Sequence, residues 1–218
     1  MPMWPNAEQT DQLLAQARQG DSKAIAELLA NHREALRRMV GLRLDPVLAR
    51  RVDASDIVQD VLIEANRRLP EYLDQPRMPF HLWLRHLARD QMIDAHRRHR
   101  QAKRRSLDRE QSLFAAGADD SAVDLLGQLL DPEQTPASAA LRQELQARLE
   151  QAINRLSPDD REIILMRHHE QLSNQDVARA LSLSEAAASM RYLRALRRLR
   201  KVLISSGDST AEAQRDES

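Results

Sequence analysis

The 218-residue sequence contains no cysteine. That excludes disulfides, thiolate nucleophiles and cysteine-ligated zinc, and it fits a reducing compartment. Glycine is scarce, with five residues, and aromatic side chains make up only 3%. An all-β design needs turn glycines and bulky strand residues, so this composition argues against one. No apolar run approaches the roughly 18 residues that a membrane span requires. Met1–Gln9 has no apolar core of the signal-peptide kind. The expectation is a soluble cytoplasmic protein. Also missing are a glycine-rich phosphate loop, an H-E-x-x-H pair and an evident nucleophile–base arrangement, so the sequence does not read as an enzyme. His96 and His99 are spaced for a shared metal, but their arginine-rich setting repels cations, and neither metal nor cofactor is expected.

Net charge is absent too: 33 Lys and Arg balance 33 Asp and Glu. The cations nevertheless gather in two places. The first holds Arg97, Arg98, Arg100, Lys103, Arg104 and Arg105. The second holds Arg191, Arg194, Arg197, Arg198, Arg200 and Lys201. Two basic surfaces on one neutral chain suggest two contacts with a long polyanion, most simply DNA.

What is abundant is Ala, Leu, Arg, Gln and Glu, all helix formers. From Asp11 to Arg105 the apolar spacing predicts consecutive helices, interrupted at Gly20-Asp21, at Asp45-Pro46 and between Pro76 and Pro79. Asp53 reads as a helix N-cap with a second acid, Asp56, at N3. The helix after it carries Ile57, Val58, Val61, Leu62, Ala65 and Leu69 on one stripe, with Asp56, Gln59, Asp60 and Glu64 off it. The next helix runs from Phe80 to about Arg100.

From Ser106 to Pro136 the composition changes. Asp108, Glu110, Asp119, Asp120, Asp124, Asp131 and Glu133 stand against Arg109 alone, among Gly117, Gly127, Pro132 and Pro136. This reads as a flexible acidic linker. Helices resume at Ala137 and run to Ile204; the polar end, 205–218, is expected to be disordered. The fold class is therefore all-α: two small helical domains, 8–105 and 137–204, joined by the linker.

The second domain carries three helix starts: Ser157-Pro158-Asp159-Asp160, Ser173-Asn174-Gln175-Asp176, and Ser184. With a tight turn at Leu181-Ser182-Leu183 and small Ala178 where two helices approach, they predict a helix-turn-helix. At about 100° per residue, the last helix places Ala188, Tyr192, Ala195, Leu196, Leu199 and Leu203 on one side. Arg191, Arg194, Arg197, Arg198 and Lys201 fall on the other. Ser184, Glu185, Ala187, Ala188 and Ser189 at its start would face base edges, and the arginines beyond would hold phosphates.

Three segments carry a family resemblance. Asp53-Ala54-Ser55-Asp56-Ile57-Val58-Gln59-Asp60-Val61-Leu62-Ile63-Glu64-Ala65 resembles the core-binding helix of bacterial sigma factors. Phe80 through Arg98 resembles the segment that melts the promoter and reads the minus-ten element. Leu156 through Leu199 resembles the fourth conserved region, which reads the minus-thirty-five element. The order is the family's, and the absence of the long third region resembles the extracytoplasmic-function (ECF) class of the sigma-70 family.

The resemblance implies that Asp53, Asp56, Ile57, Gln59, Asp60 and Glu64 dock on core RNA polymerase, through its β′ subunit, with β a further contact. It implies that Arg97, Arg98, Arg100, Lys103, Arg104 and Arg105 bind the minus-ten region of promoter DNA. Ser184, Glu185, Ala187, Ala188, Ser189, Arg191, Arg194, Arg197 and Arg198 would bind the minus-thirty-five region. The linker would run through polymerase channels otherwise used by nucleic acid, and an anti-sigma protein is a further partner that the class admits. Phe80 and Trp83 are candidates by type for stacking on melted bases, but an apolar helix of this kind reads them first as core. The sequence departs from the family at Asp90, often Asn, and at Ser189, often Lys; Ser182 stands where helix-turn-helix motifs commonly have a turn glycine. Two other readings compete: a helix-turn-helix regulator that needs no polymerase docking, and a helical protein–protein adaptor.

Overall fold

In the computed structural model the described residues are 3–44, 52–106, 145 and 147–213, with side chains described for 3–44, 52–99, 145 and 147–205. Every regular element among them is helical. The chain divides into two compact units, Met1–Ala118 and Asp119–Ser218.

The first unit contains α1 (Ala7–Arg18), α2 (Ser22–Gly41), α3 (Ala54–Asp74) and α4 (Phe80–Ser106). The first three starts have a local cause. The Asn6 side chain accepts from the Glu8 N–H, the Asp21 carboxylate from Lys23 and Ala24, and the Asp53 carboxylate from Ser55. Gly20 turns the chain between α1 and α2 at φ +85°, a conformation that needs glycine's missing Cβ. α2 packs against α1, α3 and α4, and α3 against α4. Their shared core includes Leu28, Leu36 and Met39 of α2, Val61 and Ala65 of α3, and Leu82 and Leu84 of α4, all fully buried. Burying each large aliphatic side chain stabilises the unit by about 1.5–3 kcal/mol.

Two features of this unit escape the expected boundaries. Trp4 lies before residue 8, yet it is buried and meets the rings of His32 and His81 at 6.4 and 5.7 Å. The folded unit thus reaches further toward the N-terminus than 8–105. α3 also continues through Pro70 to Asp74. Pro70 and Asn66 are both exposed, so the Asn66 carbonyl, which loses its helical donor at the proline, is left to water.

The second unit contains α5 (147–154), α6 (Pro158–Ile164), α7 (Asn174–Ala180) and α8 (Glu185–Ala213). A five-residue π-turn, Leu165–His169, extends α6. It closes with the Glu170 N–H on the Leu165 carbonyl and is followed by Gln171 at φ +53°. α8 packs on α6 and α7 through buried Ala188, Ala195 and Leu199. The expected disordered end from 205 is corrected for 205–213, which continue α8 as helix. Extension of a formed helix adds one hydrogen bond per residue fixed and needs no new nucleus. The linker expected at 106–136, apart from Ser106 itself, the helical stretch expected from 137 to 144, and residues 214–218 lie outside the described residues.

Candidate functional surfaces

In the first unit the surface of interest is built on α3. Gln59 and Asp60 lie three and four residues after Asp56, and Ile63 lies four and three residues after them, so the four share one face, and all four are exposed. Asp53 is committed to capping: its Oδ1 accepts the Ser55 N–H at 2.7 Å, and that bond holds its carboxyl below the usual range. Glu64 is half-buried and accepts from Arg67 at 2.8 Å, a hydrogen bond that likewise lowers its pKa. Ile57 is corrected: it is buried with Val58 and Val61 and cannot present itself to a partner. Ile63, by contrast, is 61% exposed on the same face as Asp56 and Asp60. The sequence carried a signal for Ile63, since seven residues after Asp56 is two helical turns on the same face.

α4 forms the other wall of this surface. A groove of about 630 Å³ is lined by Asp60, Ile63 and Glu64 from α3 and by Gln91, Asp94, Arg97 and Arg98 from α4. Arg98 Nη2 lies 3.9 Å from Asp60 Oδ2, and Arg97 Nη1 lies 3.9 Å from Asp94 Oδ1. The start of the first basic segment therefore borders the acidic face instead of lying apart from it. The backbone of 100–106 continues α4, while the side chains of Arg100, Lys103, Arg104 and Arg105 lie outside the described residues. Asp90 is exposed on α4.

The aromatic residues hold this wall in place. Phe80 is buried, edge-on to Tyr72 at 5.4 Å and to His32 at 5.0 Å. Trp83 is half-buried and stacks on Tyr72 at 4.7 Å. The Tyr72 hydroxyl donates to the Met78 carbonyl at 2.9 Å, and burial pushes its pKa up to about 12. The cluster ties the end of α3 to the turn that launches α4. Phe80 and Trp83 are thus engaged in the unit's own packing.

In the second unit α7, its turn and α8 form a helix-turn-helix. The Ser173 hydroxyl accepts the Asp176 N–H at 3.0 Å and donates to its carboxylate at 2.7 Å. The Ser182 N–H bonds the Arg179 carbonyl at 3.2 Å and the Leu183 N–H the Ala178 carbonyl at 2.8 Å. This pair of bonds is a Schellman ending, which requires a left-handed residue. Ser182 supplies it at φ +54° without glycine's missing Cβ. Ser184 then caps α8, accepting from the Ala187 N–H at 3.2 Å.

The outward face of α8 differs from the expected one. Ala188 is corrected: it is fully buried against the neighbouring helices and cannot touch a base edge. Ser189 donates to Asn174 Oδ1 at 3.1 Å, while Asn174 Nδ2 donates to the Glu185 carbonyl at 3.0 Å, so Ser189 helps fix the angle between α7 and α8. Arg191 pairs with Asp159 at 2.8 Å and Arg198 pairs with buried Asp160, which clamps α8 to the first turn of α6. Burial opposes ionisation of Asp160, but hydrogen bonds with Arg198 and Ser157 more than offset it and hold its pKa low. Tyr192 contacts His168 Nε2 at 2.6 Å, with the Arg167 guanidinium 5.6 Å from its ring centre. Beyond these pairs, the exposed residues of α8 include Ala186, Met190, Leu193, Arg194, Arg197, Arg200, Lys201 and Ile204, with Glu185 and half-exposed Ala187 at the helix start. Helical angle names Ala188, Tyr192, Ala195, Leu196, Leu199 and Leu203 as the packed side and assigns Met190 and Leu193 to neither; the structure places both in solvent.

Comparison with known proteins fits these two units. The sigma-70 region 2 family matches residues 28–102, and the sigma-70 region 4 family matches residues 146–199. The RNA polymerase sigma factor NccH of Alcaligenes xylosoxydans xylosoxydans is 32% identical over 202 residues, 90% of this chain and 96% of its own. The chain belongs to the sigma-70 family. The ECF RNA polymerase sigma factor SigD of Mycobacterium tuberculosis is 27% identical to this sigma factor over 207 residues, 94% of this chain and 89% of SigD. The fold of CnrH, solved in complex with the cytosolic domain of CnrY, aligns with a TM-score of 0.56 at 22% identity, covering 92% of this chain and 99% of that one.

A sigma factor of the ECF class directs promoter-specific transcription, and its family is regulatory and non-catalytic. The region 2 match spans the α3 face and the start of the first basic segment; the region 4 match spans α6, the helix-turn-helix and most of the second. No helix among the described residues is long and apolar enough to cross a membrane.

Proposed function

We propose that this sigma factor docks on the β′ subunit of core RNA polymerase through the α3 face, with Asp56, Gln59, Asp60 and Ile63 as the contact. The observation that carries the reading is that face itself. It presents two carboxylates and an exposed isoleucine that the unit's own core does not use, an apolar centre with a polar surround of the kind partner surfaces have. Arg97 and Arg98 border it, so the cationic end of α4 would receive the minus-ten strand beside the docked polymerase, together with Arg100, Lys103, Arg104 and Arg105. The outward face of α8, with Arg194 and Arg197, would take the minus-thirty-five element. Asp53 and Glu64 support α3 from its start and its flank. The protein acts in the cytoplasm and has no catalysis of its own. CnrH is held by CnrY in its solved complex, and an anti-sigma protein is a regulator of this chain on the same pattern.

The deciding experiment measures binding of the full chain to core polymerase. Asp56→Arg together with Asp60→Arg weakens binding by tenfold or more, while the circular dichroism spectrum stays that of the parent. Unchanged binding removes α3 from the docking surface. Run-off transcription over a promoter library then separates this reading from the regulator alternative, which would bind DNA but not start transcription with core polymerase.

A further inference from the structure

We propose that Met190 and Leu193 are specificity-determining residues that read the C5-methyl groups of thymine in the upstream promoter element. The inference rests on the reading of α8 as the helix that enters DNA, and it adds what that helix recognises.

The argument begins with exposure. Met190 and Leu193 are 52% and 45% exposed, although both are apolar and stand in the first three turns of α8. They lie opposite Ala188, Ala195 and Leu199, the side chains that pack α8 on its own unit. No rotation of α8 that keeps those three buried would cover the pair. An apolar partner must therefore come from outside, or the pair stays in water.

The surroundings select the partner. Arg194, Arg197 and Lys201 share this face and are exposed, and no carboxylate among the described residues lies within ion-pairing distance of them. Arg191 and Arg198, by contrast, are held by Asp159 and Asp160. The face thus carries unspent cations around an apolar pair. A second copy of this helix would oppose cation to cation, whereas DNA supplies phosphates. Within the major groove the thymine methyl is the apolar group on a base edge, and apolar side chains contact it. Ala186 to Leu193 spans roughly 10 Å of helix, comparable to the groove width of about 12 Å. Arg197 and Lys201 follow one and two turns later, where the helix leaves the groove and the backbone begins.

The geometry also accounts for what the start of α8 lacks. Ala188 is buried, and Ser189 is bonded to Asn174. Polar readout from this stretch is correspondingly reduced, and the apolar pair supplies discrimination in its place.

The test uses the full chain with core polymerase and promoter duplexes enriched by that holoenzyme from a random-sequence pool. Each thymine of the enriched upstream element is replaced in turn by deoxyuridine, which removes the methyl and keeps every hydrogen-bonding group. The expected result is one or two positions at which affinity falls about fourfold, the equivalent of one buried methyl group. In Met190→Ser combined with Leu193→Ser, the fall at those positions shrinks below twofold. Indifference of the parent protein to every deoxyuridine overturns the inference, and so does a double variant that stays as methyl-sensitive as the parent. Arg194→Gln with Arg197→Gln separates the two levels. If it reduces the salt dependence of binding while deoxyuridine has no effect, only the methyl readout fails. If it changes nothing and no upstream element is enriched, α8 is off the DNA and both readings fail together. A double variant that keeps all promoter binding but loses a protein partner assigns the pair to that partner and also overturns the inference.

Discussion

Substituting His32 tests how the first unit supports its docking surface. His32 is 1% exposed. Its Nδ1–H donates to the Leu28 carbonyl at 2.8 Å, and its ring meets Phe80 and Trp4. Burial lowers its pKa from 6.5 to about 4, the Leu28 bond opposes the shift, and nearby His81 adds to it. In the folded protein His32 is therefore neutral over a range in which the unfolded chain is protonated. Above pH 6.5 neither state binds the proton, and the full stability is present. As pH falls from 6.5 toward 4 the unfolded state gains the proton first, and stability is lost throughout that window. At about 1.4 kcal/mol per pH unit, the loss at pH 4.5 relative to pH 8 reaches about 2–3 kcal/mol from this residue alone. Trp4 and Trp83 both belong to the first unit and lie in the cluster around His32 and Phe80, so tryptophan fluorescence during urea unfolding reports on the right unit. His32→Gln lacks the titration. Its unfolding free energy falls between pH 8 and pH 4.5 by about 2–3 kcal/mol less than that of the parent, whatever its absolute stability at pH 8. Parallel pH dependences for the two proteins would refute the reasoning.

Four further outcomes follow from the second unit. Asp160→Asn removes the partner of Arg198 and a carboxylate whose pKa is held low; it costs about 1–2 kcal/mol at pH 7, and the difference from the parent fades as pH falls through the carboxylate range, as thermal unfolding at several pH values would show. Ser182→Gly places the residue suited to φ +54° in the turn and stabilises the unit by about 0.5–1 kcal/mol, so a lowered melting temperature would contradict the account of that turn. Arg194→Gln with Arg197→Gln lowers the salt slope of promoter binding by about 0.9 for each phosphate no longer neutralised. Arg191→Gln with Arg198→Gln leaves the slope nearly unchanged and destabilises the unit instead, because those two arginines are held by Asp159 and Asp160.

The sequence by itself determined whatever depends on a few neighbouring residues. The caps at Asp53, Ser157, Ser173 and Ser184 act where the capping patterns put them, because a cap is a bond between residues two or three apart. The all-helical class, the helix-turn-helix and the family were legible for the same reason: periodicity and motif order are properties of the chain. The turn at Ser182 was legible as well, since its left-handed backbone follows from where α7 must end.

Tertiary packing decided which individual residues on the helix faces stay free. The family motif assigns Ile57 and Ala188 to partners although helical spacing puts both on apolar faces, and they are buried, while Ile63, Met190 and Leu193 stand in solvent. A helix repeats every 3.6 residues, so its pattern gives the width of the apolar stripe but not the azimuth at which neighbours cover it. The charges divide in the same way. Arg191, Arg194, Arg197 and Arg198 are chemically alike, and only the approach of the first turn of α6 binds Arg191 and Arg198 to acids that stand more than thirty residues earlier in the chain. Pairing across that separation is set by packing, which also leaves Arg194 and Arg197 unspent beside the apolar pair.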